Sequence, residues 1–158
     1  MQNLETPSDG RPRVTVAAVV ERDGRFLCVE ERTAGSADLV INQPAGHVEA
    51  AESVIEAAIR ETLEETGWHL VPEAVTGIYL WRHPASGRSF LRIAITGRAE
   101  APEGEVRLDE GIERAVWLSR EELLRERERH RSPLVLHTVE DYLRGERHPL
   151  SLLKPMLG

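Results

Sequence analysis

Apolar and polar positions fall into blocks with two different periods along this chain. Residues 14–20, VTVAAVV, form a nearly unbroken β-branched and small apolar run, and residues 26–29, FLCV, resume it after Asp23-Gly24. The pattern predicts two strands in a hairpin, because Gly24 takes a positive φ at no steric cost. Residues 32–39, RTAGSADL, predict a loop, and Pro44 and Gly46 punctuate a short extended stretch. Two further strands are predicted at 75–81 and 89–96, joined by the turn-forming PASGR of 84–88. A loop rich in Pro, Gly and Glu follows at 100–111, then one more strand at 115–118.

The period changes at residues 52–66, the clearest predicted helix. At about 100° per residue, Val54, Ile55, Ala58, Ile59, Thr62 and Thr66 share one face able to pack on a sheet. Gly67 stands where a left-handed C-terminal cap is wanted. Ser119 with Glu122 predicts a capping box opening a charged helix to about residue 130. Ser132-Pro133 opens another over 134–143, ending at Gly145. Strands, a central helix, more strands and terminal helices indicate a mixed α/β sandwich. Strict strand–helix alternation is missing, which argues against a doubly wound parallel sheet.

One helical turn raises a chemical question. In RETLEETG, residues 60–67, the carboxylates of Glu61, Glu64 and Glu65 project together from the edge of the buried face, with Ala57 between them. Like charges at these spacings repel by roughly 0.2–0.5 kcal/mol per pair. Either the repulsion is incidental on a solvated face, or a cation sits there. Hard divalent cations such as Mg²⁺ take oxygen ligands, and a helix supplies them from a rigid element.

Composition narrows the classes. The 158 residues suggest one domain at 13–150, flanked by a loosely ordered tail at 1–12 and a C-terminal tail at 151–158. A formal net charge of −7 argues against a nucleic-acid partner. It leaves small phosphorylated substrates open, since a metal locally inverts an acidic site. The lone Cys28 lies in an apolar run and suggests a buried, inert thiol. The N-terminus lacks a secretory pattern and no apolar stretch is long enough to span a bilayer, so a cytoplasmic location without a membrane partner is the expectation. Oligomeric state is not legible. His69, His130, His137 and His148 have no zinc-like pair spacing, and RERERHR at 125–131 suggests a solvated, ion-paired helix face. Neither a Walker-type loop nor a Gly-x-Ser-x-Gly elbow is present.

Extended backwards, the acidic turn becomes GHVEAAESVIEAAIRETLEETGW, residues 46–68. This resembles the signature of the Nudix hydrolase family, with Gly46, Glu52, Arg60, Glu61, Glu64, Glu65 and Gly67 at the family spacing. Thr62 and Trp68 depart, standing where aliphatic residues are usual. The resemblance implies a Nudix-type α/β/α sandwich with a mixed sheet. It implies metal ligation by Glu61, Glu64, Glu65 and the Gly46 carbonyl, with Mg²⁺ as cofactor and Mn²⁺ as a substitute. Glu61, Glu64 and Arg60 become the catalytic set, one glutamate doubling as general base and Arg60 pairing with Glu64. Glu52 supports the loop–helix junction. The implied reaction is attack of water on phosphorus in a diphosphate linked to another group X.

Further stretches are similar to one branch of the family, the NudJ-type phosphatases: QPAGHVEA at 43–50, WLSREEL at 117–123, RSPLV at 131–135 and YLRGERHPL at 142–150. That similarity implies nucleoside tri- and diphosphates and thiamine-pathway pyrophosphates (hydroxymethylpyrimidine pyrophosphate and thiamine pyrophosphate) as substrates. The alternatives are another diphosphate-X substrate or a non-catalytic nucleotide-binding sensor. Several residues carry two readings each. Trp81 either stacks on a substrate ring or packs as a rim aromatic. Arg92 either binds phosphate or faces outward from its strand. His47 either touches substrate or is a surface histidine. Asp109 and Glu110 either supply an extra ligand or base, or form a solvated acidic loop.

Overall fold

The computed structural model describes residues 9–33 and 37–157. The N-terminal tail expected at 1–12 and the loop expected at 32–39 lie partly outside these residues. The chain runs β1 (Arg13–Val19), β2 (Glu21–Arg22), β3 (Arg25–Arg32), β4 (Leu39–Asn42), β5 (Ala45–His47), α1 (Val54–Thr66), β6 (His69–Arg82), β7 (Ser89–Glu100) and β8 (Ile112–Ser119). After these come α2 (Arg120–Arg125), a 3₁₀ turn (Arg127–Arg129), α3 (Leu134–Leu143) and a second 3₁₀ turn (Leu150–Leu152).

The expected hairpin between 14–20 and 26–29 forms only next to its turn, where the Leu27 N–H donates to the Val20 carbonyl at 3.0 Å. Val16 to Val20 are all buried, and a strand covered on both faces belongs inside a sheet. β1 therefore lies between β5, antiparallel, and β7, parallel, in the order β5-β1-β7-β6. Only β2 turns back on β3, across Asp23 and Gly24 with φ of 52° and 77°. β3 is equally buried and pairs with β2, β4 and β8 in a second, antiparallel sheet. The β6–β7 hairpin forms as expected but is longer, because β6 starts at His69 directly after the helix cap and accommodates Pro72 beside a register shift.

Alternation along the strands assigns the two layers of helix. Val16 and Ala18 of β1, Leu27 of β3, and Ile93 and Ile95 of β7 pack with Ala57 and Ala58 of α1. The intervening Val19, Phe26, Cys28 and Ala94 pack with Val135 and Val139 of α3. The result is an α/β/α sandwich with a mixed sheet, as the family resemblance implied. Burial pushes the Cys28 thiol up to about 12, which makes it inert.

α1 begins at Ser53, whose hydroxyl accepts the Glu56 N–H, and ends at Gly67 with φ 78° and its N–H on the Leu63 carbonyl. Its buried stripe is Ala57, Ala58, Thr62, Glu65 and Thr66, with Val54 and Ile59 only partly covered, so the buried face is rotated towards the acidic turn relative to the expected one. Both departures from the family pattern have packing explanations. The buried Thr62 hydroxyl donates to the Ala58 carbonyl at 2.7 Å, so the side chain fills an aliphatic place with its polar atom satisfied. Trp68 meets Trp117 edge to face at 5.2 Å, with Arg22 over its ring.

The charged run at 125–131 is not one helix face: α2 ends at Arg125 and a 3₁₀ turn follows. Arg129 reaches Glu30 at 2.8 Å and Arg131 reaches Glu31 at 2.8 Å, clamping this segment to β3. At the C-terminal end, Leu153, within the expected tail, packs against the core beyond the 3₁₀ turn.

Candidate active site

The acidic turn of α1 faces β5. A side chain at Gly46 would displace the Glu61 carboxylate: a β-carbon there would lie 2.2 Å from Cδ and Oε1 of Glu61. The group that this glycine admits is the Glu61 carboxylate. Arg60 organises the surroundings. Its Nε and Nη2 donate to the two oxygens of Glu52 at 2.6 and 3.0 Å, a paired contact that fixes the guanidinium plane. Nη1 is shared between Glu61 at 2.9 Å and Glu64 at 3.1 Å, and Nη2 also donates to the His47 carbonyl at 3.0 Å. The expected Arg60–Glu64 pair is present, but Glu52 is the dominant partner, through a role the sequence placed only at the loop–helix junction.

Asp109 arrives from the loop before β8. Its N–H donates to the Glu64 carbonyl at 3.0 Å, and Val106 of the same loop occupies the space a side chain at Gly67 would need. One oxygen each of Glu61, Glu64 and Asp109 lie within 4.8 Å of one another, a donor set suited to a hard divalent cation. Glu110, on the following turn, is exposed and outside this group. Glu65 is also outside it: its Oε1 accepts the Ala45 N–H at 2.8 Å, and burial followed by the carboxylates of Glu31, Glu61 and Asp109 pushes it up to about 9. Burial raises Glu61 as well, opposed by Arg60. Glu52 is held below the ordinary carboxylate range, chiefly by its hydrogen bonds from Arg60. The crowding of carboxylates that repel one another is the electrostatic condition a cation relieves.

The three candidate substrate residues share the other face of the first sheet. Register pairs Tyr79 with Arg92, Arg92 with Thr15, and Thr15 with His47, so these form one row across four strands. Tyr79 donates to Asp141 of α3 at 2.7 Å, which identifies the row's face as the α3 side. Trp81, paired with Phe90, lies two residues along the same face. Arg92 is buried rather than outward, and its Nη1 and Nη2 donate to the neutral side chains of Gln43 and Asn42, both at 3.1 Å. Gln43 in turn donates to the Val135 carbonyl of α3 at 2.8 Å. Asn42 and Gln43 were missed in the sequence; their only signal is a polar pair directly before Pro44 and Gly46. A cavity of about 520 Å³ opens between Trp81 and the start of α3, lined also by His83, Arg127, His130, Arg131 and His137. No described helix is long and apolar enough to cross a membrane.

The NUDIX domain profile matches residues 10–139. The chain belongs to the Nudix hydrolase family. It is 40% identical over 143 residues to Phosphatase NudJ of Escherichia coli K12, covering 90% of this chain and 91% of that protein. Among solved structures, a NUDIX hydrolase from Nitrosomonas europaea superposes with a TM-score of 0.90 at 45% identity, over 94% of this chain and 99% of that one. A MutT NUDIX hydrolase from Burkholderia pseudomallei, at 24% identity, superposes with a TM-score of 0.69 over 83% of this chain and 98% of that one, and supports the fold alone. This Nudix chain is accordingly a phosphohydrolase of the NudJ-like kind, acting on small phosphorylated substrates, in a family that generally uses divalent metals.

Proposed function

We propose that this Nudix hydrolase cleaves nucleoside tri- and diphosphates and thiamine-pathway pyrophosphates by attack of water on phosphorus, with Mg²⁺ as cofactor and Mn²⁺ as a substitute. The observation that carries the reading is the convergence of Glu61, Glu64 and Asp109 beside Arg60. These carboxylates would hold the cation, with Glu65 and the Gly46 carbonyl as the further ligands the family pattern implies. A bound divalent cation supplies charge neutralisation of the diphosphate and acidifies a bound water.

The chain's own residues do the rest. Glu52 fixes Arg60, and Arg60 fixes the Glu61 and Glu64 carboxylates, which is the positioning on which phosphoryl transfer depends. Glu64, the more open of the two with 40% side-chain exposure against 13% for Glu61, is our assignment for the base that takes a proton from water. Arg92 and His47 would meet substrate on the α3 face, and Trp81 would contact X. The similarity to Phosphatase NudJ supports release of inorganic phosphate.

The test is hydrolysis in H₂¹⁸O with Mg²⁺, following phosphate and pyrophosphate separately by ³¹P NMR. The panel is a nucleoside diphosphate, a nucleoside triphosphate, hydroxymethylpyrimidine pyrophosphate and thiamine pyrophosphate. The reading expects ¹⁸O in released phosphate; tight binding of these compounds with no turnover would instead support a sensor.

A further inference from the structure

The cavity beside Trp81 has a volume inside the roughly 300–1,000 Å³ range of small-molecule sites. One wall is a braced aromatic plane. Trp81 is backed by Phe90, with centroids 6.0 Å apart and planes 26° from parallel, and is held edge-on by His83 at 5.4 Å. A tryptophan fixed in this way while still lining a cavity offers a ready stacking surface.

The charge around the cavity is positive, although the chain as a whole carries −7. Arg127 and Arg131 line it against one carboxylate, Glu140, which Arg120 already holds at 2.6 Å. Arg131 is balanced by Glu31, whereas Arg127 has no ion-pair partner among the described residues. Farther along the same sheet face lies the buried Arg92, held by two amides and no carboxylate. Burial and then repulsion from Arg131 bring Arg92 down to about 10.

We infer that this cavity receives the organic group of the substrate as an uncharged planar heteroaromatic ring stacked on Trp81, and discriminates against rings that carry a positive charge. The inference rests on the reading of the carboxylates around Arg60 as the centre of a diphosphate hydrolase. An uncharged ring gains the Trp81 face without repulsion. A cationic ring gains a cation–π contact with that face but must enter beside Arg127 and Arg131, with Arg92, whose hydrogen bonds go to amides, behind them. Among the proposed substrates, the pyrimidine pyrophosphate therefore ranks above thiamine pyrophosphate, whose thiazolium is charged.

Three synthetic diphosphates isolate the ring: 4-pyridylmethyl diphosphate, its N-methylpyridinium counterpart, and ringless methyl diphosphate. The expected result is a KM for the neutral ring about tenfold below that for methyl diphosphate, with the pyridinium compound clearly weaker than its neutral twin. Trp81→Ala should raise KM for the neutral-ring compound by about tenfold more than for methyl diphosphate. Arg127→Gln, at an exposed position, should narrow the gap between the two ringed compounds. Equal KM for those two in the wild type, or equal effects of Trp81→Ala on ringed and ringless compounds, overturns the inference. Calorimetric binding of the same three compounds decides the ring preference independently of turnover. Absence of hydrolysis therefore counts against the enzymatic reading, and absence of ring preference against this one.

Discussion

The Glu61 carboxylate lies where the side chain of residue 46 would be, and Gly46 makes room for it: a β-carbon there would stand 2.2 Å from the carboxyl carbon. This contact joins β5 to the acidic turn of α1 and makes the glycine a steric requirement of the site. Gly46→Ala should push the Glu61 carboxylate out of register with Glu64 and Asp109. A displacement near 1 Å at a reacting centre costs about 100-fold in rate. The expected outcome is a loss of that order in kcat with the circular dichroism spectrum retained.

Arg60 depends on Glu52 for its orientation, through two hydrogen bonds with limited solvent access. Glu52→Ala should cost about 2 kcal/mol of stability, the range for hydrogen bonds to charged groups, read from urea denaturation. The pH dependence has a definite sign. Glu52 has a folded pKa below its unfolded value of about 4.3. Its contribution is therefore complete above about pH 4.3 and lost as pH falls through the folded pKa. Wild type and Glu52→Ala should converge in stability on acidification.

Asp109 joins Glu61 and Glu64 from a separate loop. Asp109→Asn should weaken Mn²⁺ binding by about tenfold, in the range seen for perturbed metal sites, followed by electron paramagnetic resonance titration. An unchanged affinity would return Asp109 to the role of a solvated loop residue.

The same loop is seated by Val106 over Gly67, whose φ of 78° already excludes most side chains. Gly67→Ala should cost about 1–2 kcal/mol from the left-handed backbone alone. The Val106 contact adds to this, so the loop should lose proteolytic protection before the rest of the domain does.

What was legible in the sequence was local. Gly67 and the spacing of Arg60, Glu61 and Glu64 lie within one helix and its C-terminal cap, so their arrangement follows from helical periodicity alone, whereas the N-cap at Ser53 went unread. The hairpin at Asp23-Gly24 had a correct turn but was read too long, since β1 leaves β3 for another partner. Pairing of β1 with β7 depends on burial on both faces, which the unbroken run VTVAAVV encodes only once a sheet exists around it. The α1 stripe rotated because Ala57 and Glu65 are buried against the sheets while Val54 packs there only partly covered. Arg92 illustrates the remaining limit: its amide partners are 49 and 50 residues away in sequence, and no local pattern links them.

The central claim is that the carboxylates around Arg60 hydrolyse a diphosphate with a divalent cation. Its most direct test is phosphate release from a nucleoside diphosphate at saturating Mg²⁺, comparing wild type, Glu61→Gln and Glu64→Gln, each with and without excess EDTA. The account predicts turnover by the wild type that EDTA abolishes, and a fall of about 100-fold or more in both variants while their folded spectra persist. Full activity in either variant, or in excess EDTA, would contradict it.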